Sequence, residues 1–442
     1  MSAIDKTSAS KSLNANMLWA VSTPSKRILV LDVLRGMAVF GILVRNIFVY
    51  AMPSNAFALP ALWSSESVAN VASWLTVEIF FDGSMRAIFS MLFGATALII
   101  LAECDSSTQG FHQVDRYYRR LLVLIGLGLI HAYLLLWPND VLFFYGVFGF
   151  LLFPLRNLSA KYLLAAAGMM ILLFAAVQIY NSLPEPETAQ NEVQNSSNEL
   201  SQFDEYLVTE IEREVDQRMQ ELLHKTWQEE VEVRQSGYAV NLREGFLFAL
   251  ERQTIELMTN HLIDICAMLF IGMALFKLGF LTGQKSSFIY CLVMVSGYGV
   301  GISLKVAPLY GWYQYLPEPY SQWDWGTINY DFARIAIALA HLSALILALR
   351  LRMFSRFANM LAASGRLSLT NYLSHTLVGA FVFYGLGLGL FGRFNHAQLL
   401  ALAILFGVSQ IVLSSIYLRH FRRGPFEHVL HTLVYTGTPR VN

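Results

Sequence analysis

The sequence predicts an all-α polytopic membrane protein: a bundle of about ten transmembrane helices, both termini cytoplasmic, with an external helical insert. Three observations predict it. Just over half of the 442 residues are apolar and only 14% are charged. Apolar runs long enough to cross a bilayer recur from residue 28 to residue 418. Lys and Arg gather in alternate loops, which the positive-inside rule places in the cytoplasm. The balanced net charge gives no reason to expect nucleic-acid binding. Cys104, Cys266 and Cys291 are too scattered for a disulfide framework or a metal knuckle.

Residues 1–27 are polar and carry Lys6, Lys11, Lys26 and Arg27 without a small-residue cleavage site, so the first span reads as an uncleaved anchor behind a cytoplasmic tail. The N-terminal membrane half, 28–182, holds spans near 28–50, 84–103, 119–137, 140–156 and 161–182. Arg116, Arg119, Arg120, Arg156 and Lys161 mark its cytoplasmic loops. An even number of crossings must separate the N-terminus from the 104–118 loop. The apolar stretch 67–81 is therefore predicted as a surface or re-entrant helix. Residues 183–245 break the composition, with fifteen Asp or Glu against five Lys or Arg. Apolar residues at three- and four-residue spacings predict an amphipathic external helix there, resting on the membrane domain or acting as a lid. The C-terminal half, 246–418, holds spans near 257–276, 286–306, 331–350, 367–391 and 397–418, and 419–442 is a cytoplasmic tail. The Trp- and Tyr-rich segment 307–330 reads as an interfacial belt.

Charges inside these spans are costly and usually face a protein interior or a water-filled cavity. Asp32 and Arg35 lie near the cytoplasmic end of span 1, three residues apart, where they pair, and Gly36 permits close approach of another helix. Arg45 and Asn46 lie in the outer half and suggest a polar pocket. Asp82 and Arg86 open span 2 at i,i+4 spacing, with Gly83 permitting a break before it. His131 ends span 3 and Asp140 begins span 4 after a short turn. A carboxylate orienting an imidazole is what a general base needs. His261 and Asp264 add a second outer-half polar pair, predicted to meet at i,i+3. No HExxH or CxxC accompanies these residues, and no metal is expected. His341 has no evident partner. At the cytoplasmic start of span 9, Arg366, Asn371 and His375 line up to face Asp32 and Arg35. Polar groups thus form an inner and an outer layer.

The stretches LDVLRGMAVFGILVRNI, FFDGSMRAIFSMLFG, GLIHAYLLLWPNDVLFFYG, MLFIGMALFKLGF, GRLSLTNYLSHT and RRGPFEHVLHTLVY together resemble the YeiB-like bacterial membrane proteins, grouped as a domain of unknown function. That family is grouped with a wider transmembrane acyltransferase superfamily. The resemblance implies a multi-pass protein of the bacterial plasma (inner) membrane. It also implies acyl-CoA as donor and an extracytoplasmic hydroxyl or amine acceptor, such as a cell-envelope sugar. It directs attention to Asp32, Arg35, Gly36 and Asn46, to His131 and Asp140, and to Arg366, Asn371, Tyr372, Gly424, Pro425 and Glu427. Departures stand at Asn139, His375 and His431, where the family often has Gly, Gln and Arg. Span 1 also lacks the histidine that acyltransferase-3 proteins use. In this reading His131, Asp140 and Asn46 are catalytic. Asp32, Arg35, Arg45, Asp82, Arg86, Arg366, Asn371, Tyr372 and His375 position substrate or donor, with Arg35, Arg366, Asn371 and His375 as the inner layer that guides the thioester arm. A small-molecule or proton-coupled transporter is the alternative, since paired intramembrane charges also mark transport paths. No internal repeat supports it. A non-catalytic sensor receiving through the insert is a third reading.

Overall fold

The computed structural model describes residues 29–54, 56–63, 67–106, 110–181, 202–257, 261–314, 325–351 and 355–436. The expected N-terminal tail, most of the aromatic belt and the first part of the acidic insert fall outside these residues. Among the described residues all regular structure is helical. In chain order the helices are α1 Leu29–Ala51, the short α2 Pro60–Trp63, α3 Val68–Phe80, α4 Ser84–Ser106 and α5 Gly110–Leu129, which runs into a π-helical turn, Ile130–Leu134. Then come α6 Leu142–Leu155, α7 Ala160–Asn181, α8 Gln202–Gln235, α9 Tyr238–Glu256, α10 Leu262–Lys277 and α11 Ser287–Gln314. The last are α12 Trp325–Arg350, α13 Ser355–Arg366, α14 Ser368–Phe383, α15 His396–His420 and α16 Pro425–Tyr435.

Among the described residues six segments are long and apolar enough to cross a membrane, so the chain is a multi-pass membrane protein in contact with the bilayer. A helix that is apolar all round must be buried or face lipid, and both kinds occur. Helices α1, α4 and α10 form the interior: α10 buries every residue from Ile265 to Ala274. Helices α7, α11 and α15 leave large apolar side chains exposed, including Met169, Leu172, Phe288, Leu292, Leu405 and Leu413, which fits a lipid-facing rim. The segment 67–81 is a separate 13-residue helix, about 20 Å long and too short for a core of about 30 Å. It breaks from α4 at Phe81–Gly83, where Gly83 takes φ +73°.

Three segments differ from the sequence reading. The span expected at 367–391 ends at Phe383. Glycines at 385, 387, 389 and 392 let the chain fold back, with Leu388 N–H donating to Phe381 O and Phe391 N–H to Phe383 O. The Arg-rich segment between spans 8 and 9, read as loop, contains α13, which packs on α1 and α15. Gly36 and Gly365 make that crossing possible, because a Cβ on either would strike the other helix's backbone carbonyls. The second helix of the insert, α9, runs straight through the boundary expected at 245. The insert sits on the membrane domain: Trp227 Nε1 donates to Ser54 O (3.0 Å), Ser54 N–H to Glu230 Oε2 (2.7 Å), and Gln235 Nε2 to Phe391 O (2.8 Å).

Candidate active site between two cavities

His131 lies in the π-helical turn that ends α5, a wider coil that re-aims side chains and is common at functional sites. Leu136, at φ +61°, is strained for a branched residue and turns the chain sharply towards Trp137. Asp140 follows just ahead of α6, its Oδ2 accepting from Phe143 N–H at 2.8 Å. That contact also places a carboxylate at the positive end of α6. Its Oδ1 is 2.6 Å from His131 Nδ1, and His131 Nε2 is 2.7 Å from Thr376 Oγ1 on α14. Tyr50 Oη, on α1, stands 2.5 Å from the same Thr376 oxygen. All four side chains are buried. An ionised carboxylate only accepts, so His131 Nδ1–H donates to Asp140. A neutral ring then offers Nε2 to the Thr376 hydroxyl proton, and Tyr50 donates to Thr376 Oγ1. Asp140 therefore sets the direction of a three-bond relay.

Two cavities approach this relay from opposite ends of the bundle. The larger, about 480 Å³, lies at the arginine-rich end and is walled by Arg35, Arg116, Arg120, Arg366, Arg422 and Arg423. Glu427 is the acidic residue among its lining groups, and it is engaged in accepting from Leu369 N–H, Thr370 N–H and the Thr370 hydroxyl. The smaller, about 210 Å³, lies at the insert end and is walled by Arg45, Asn46, Asp82, Arg86, Asp140 and Tyr330. Tyr372 lines both, and its ring meets His131 edge to face at 5.1 Å. The ring of Tyr372 on α14 thus borders both spaces beside the relay, together with the start of α6, whose Val141 and Phe144 line the smaller and Leu142 and Tyr145 the larger. A further cavity of about 140 Å³ lies between the smaller one and α8, sharing Arg45, Val49, Trp137 and Asn139 with it and adding Glu230 and Arg234.

The ion pairs are partly those the spacing predicts. Asp32 and Arg35 pair at 3.0 Å, and Arg35 also donates to Thr96 Oγ1. The expected Asp82–Arg86 pair does not form. Arg45 takes Asp82 at 2.6 Å with Lys305 on its other oxygen, and Arg86 pairs with Asp264 at 3.3 Å. The expected His261–Asp264 pair does not form either. Arg334 joins Asp264 to Asp331, while His261 lies 3.1 Å from Arg252 and 3.2 Å from Glu256. The reason is common to both: a carboxylate in this interior gains more from a guanidinium or ammonium on a facing helix than from its own turn.

Of the expected inner layer, Arg35 and Arg366 line the larger cavity, joined by Tyr372, whereas Asp32, Asn371 and His375 do not. Asn371 Nδ2 donates to Ser364 and Ser414, and His375 Nε2 lies 2.8 Å from Gln410 Oε1, so both tie α14 to α13 and α15. His341 has partners after all, Tyr298 Oη at 2.7 Å and Phe80 O at 2.8 Å. The sequence reading missed Tyr50, Thr376, Lys305 and Arg334. Arg334 and Lys305 had a signal, being charges inside predicted spans. Thr376 had none, since a hydroxyl in a span is ordinary. No group of three metal-ligating side chains occurs among the described residues.

Residues 275–437 match the family model described as "Protein of unknown function (DUF418)". The chain is 26% identical over 428 residues to the uncharacterized protein YxaH of Bacillus subtilis, covering 93% of this chain and 95% of that one. It is likewise 26% identical to the uncharacterized protein YeiB of Escherichia coli, over 91% of this chain and 94% of the relative. A shorter match, 32% identical over 36% of the chain, reaches 43% of an uncharacterized 39.9 kDa protein of Bacillus acidopullulyticus. No solved structure matches significantly. The YeiB-like resemblance is borne out over nearly the whole chain.

Proposed function

We propose that this multi-pass protein is an acyltransferase-like enzyme of the bacterial inner membrane, passing an acyl group from cytosolic acyl-CoA to an extracytoplasmic hydroxyl or amine. The observation that carries the reading is Tyr372, which lines two cavities at opposite ends of the bundle and meets the ring of His131 edge to face. The positive-inside rule puts the arginine-walled cavity on the cytoplasmic side, where its guanidinium groups suit the phosphates of CoA. Once Tyr372 turns aside, the thioester arm has a path to the relay. Thr376 then swings off Nε2, and His131, oriented by Asp140, takes the acceptor's proton as acceptor oxygen or nitrogen bonds to the carbonyl carbon. The carbon–sulfur bond breaks, and the proton passes from His131 to the departing thiolate. Arg45, Asn46 and Arg86, on the acceptor side, are the groups to stabilise the oxyanion.

The same two cavities, with Tyr372 lining both, also suit a transporter that admits solute alternately from each side. One experiment separates the two readings. Protein reconstituted in lipid nanodiscs is given acetyl-CoA and a bacterial cell-envelope extract, and free thiol is measured. An acyltransferase releases CoA in a His131-dependent manner. Absence of CoA binding, together with full cellular function of His131→Ala, overturns the proposal. Uptake into proteoliposomes without acyl-CoA then selects the transporter.

A further inference from the structure

We propose that the smaller cavity is an oxyanion site, built to take the phosphate or carboxylate of an anionic acceptor. This rests on the acyltransferase reading only for the word acceptor, since the binding itself stands on the cavity's own chemistry. Three guanidinium groups on three separate helices, Arg45, Arg86 and Arg252, line a space of about 210 Å³. Each is held at one edge. Arg45 Nε is on Asp82, Arg86 Nη2 on Asp264, and Arg252 Nη1 on Glu256 with Nη2 against His261. Each also keeps a buried nitrogen without an acceptor: Nη1 of Arg45, Nε of Arg86 and Nε of Arg252.

The acidic wall is differently placed. Both oxygens of Asp82 are engaged, by Arg45 and Lys305, and both oxygens of Asp140, by His131 and Phe143 N–H. The cavity therefore has donors in surplus and its carboxylates already occupied. An acceptor-only group with several lone pairs suits such a wall, because it meets guanidinium groups from three helices without bringing a donor of its own. A neutral polyol brings hydrogens of its own and suits such a wall less well. The volume is below the usual range of about 300–1,000 Å³ for ligand pockets, so it fits a compact headgroup. The adjoining space under α8 shares Arg45 and adds Arg234, giving room for the rest of the molecule.

A soluble phosphorylated or carboxylated compound and an anionic lipid headgroup present the same chemistry, and the test distinguishes them. Protein in phosphatidylcholine nanodiscs, without acyl-CoA, is titrated with inorganic phosphate, acetate and glycerol by calorimetry and thermal melting. Parallel samples use discs containing phosphatidylglycerol. Phosphate or acetate is expected to bind and glycerol not. Arg252→Gln and Arg86→Gln each weaken that binding by about tenfold or more, while Arg423→Gln, in the other cavity, leaves this component in place. If the source is a lipid, phosphatidylglycerol raises the melting temperature of the wild type and not of Arg252→Gln. The proposal is overturned if no anion binds in either disc, if glycerol binds as well as the anions, or if all binding persists in Arg252→Gln and vanishes in Arg423→Gln. Since no thioester is present, these outcomes do not depend on whether the protein transfers acyl groups.

Discussion

His131, in the turn that ends α5, and Thr376 on α14 are 245 positions apart in the chain, yet His131 Nε2 and Thr376 Oγ1 lie 2.7 Å apart in the buried centre of the bundle. The contact completes a relay that begins at Asp140 and ends at Tyr50. It also means that the nitrogen suited to proton transfer is covered in the resting protein, and that Thr376 must give way before a substrate can use it.

Asp140→Asn leaves one acceptor oxygen for two donors, His131 Nδ1–H and Phe143 N–H, so the imidazole tautomer is no longer fixed. We expect transfer to fall about 10²–10⁴-fold, as for loss of a positioned base. His131→Ala alone should cost as much as His131→Ala with Asp140→Asn, because the two act as a unit. Thr376→Ser should keep most activity, whereas Thr376→Val leaves Nε2 without its partner. Rates of CoA release for the five variants check this, and additive losses for the His131 and Asp140 changes would sink the relay.

Tyr372 lines both cavities, so Tyr372→Ala should widen the way between them. The expected outcome is CoA release that no longer requires an acceptor, because water gains access to the thioester. Free-thiol assays with and without acceptor measure it. Equal dependence on acceptor in mutant and wild type would show that the ring is not the barrier.

The larger cavity should hold CoA by charge. Arg120→Gln, Arg366→Gln and Arg423→Gln should each raise its Kd by roughly tenfold, and rising salt should weaken wild-type binding at the exposed mouth. Binding measured in nanodiscs over a salt series tests both statements.

His431 stands on the wall of that cavity, on α16 outside the spans. Burial, with the Arg423 and His428 charges nearby, holds its imidazole below the usual range. It therefore takes a proton at lower pH than a free imidazole, and that proton adds positive charge on the wall meant for the CoA phosphates. CoA affinity should rise as pH falls below neutrality, and His431→Asn should flatten that rise. Affinity that falls in acid, or an unaltered profile in the variant, would exclude this role.

Gly36→Ala or Gly365→Ala drives a methyl group into the backbone carbonyl of Leu361 or Asp32. Forcing the α1–α13 crossing apart should cost about 1–3 kcal/mol, read as a lower melting temperature in detergent. Because Arg35 and Arg366 flank this crossing, CoA affinity should fall with it.

The sequence by itself determined the membrane class, because run length against bilayer thickness needs no tertiary information. It determined the Asp32–Arg35 pair and the His131–Asp140 meeting, where one helical turn or one short connection dictates proximity. It also indicated that Gly36 allows another helix to come close. Only the tertiary structure decided which charges meet across helices. Asp82 and Asp264 abandon their own turns for Arg45, Lys305, Arg86 and Arg334, because a helix apolar on every side carries no pattern that fixes its rotation against its neighbours. For the same reason Thr376, one hydroxyl among ordinary span residues, acquires its place beside His131 only when α14 packs on α1 next to the turn that ends α5. The two cavities, and the ring of Tyr372 that borders both, exist only in that packing.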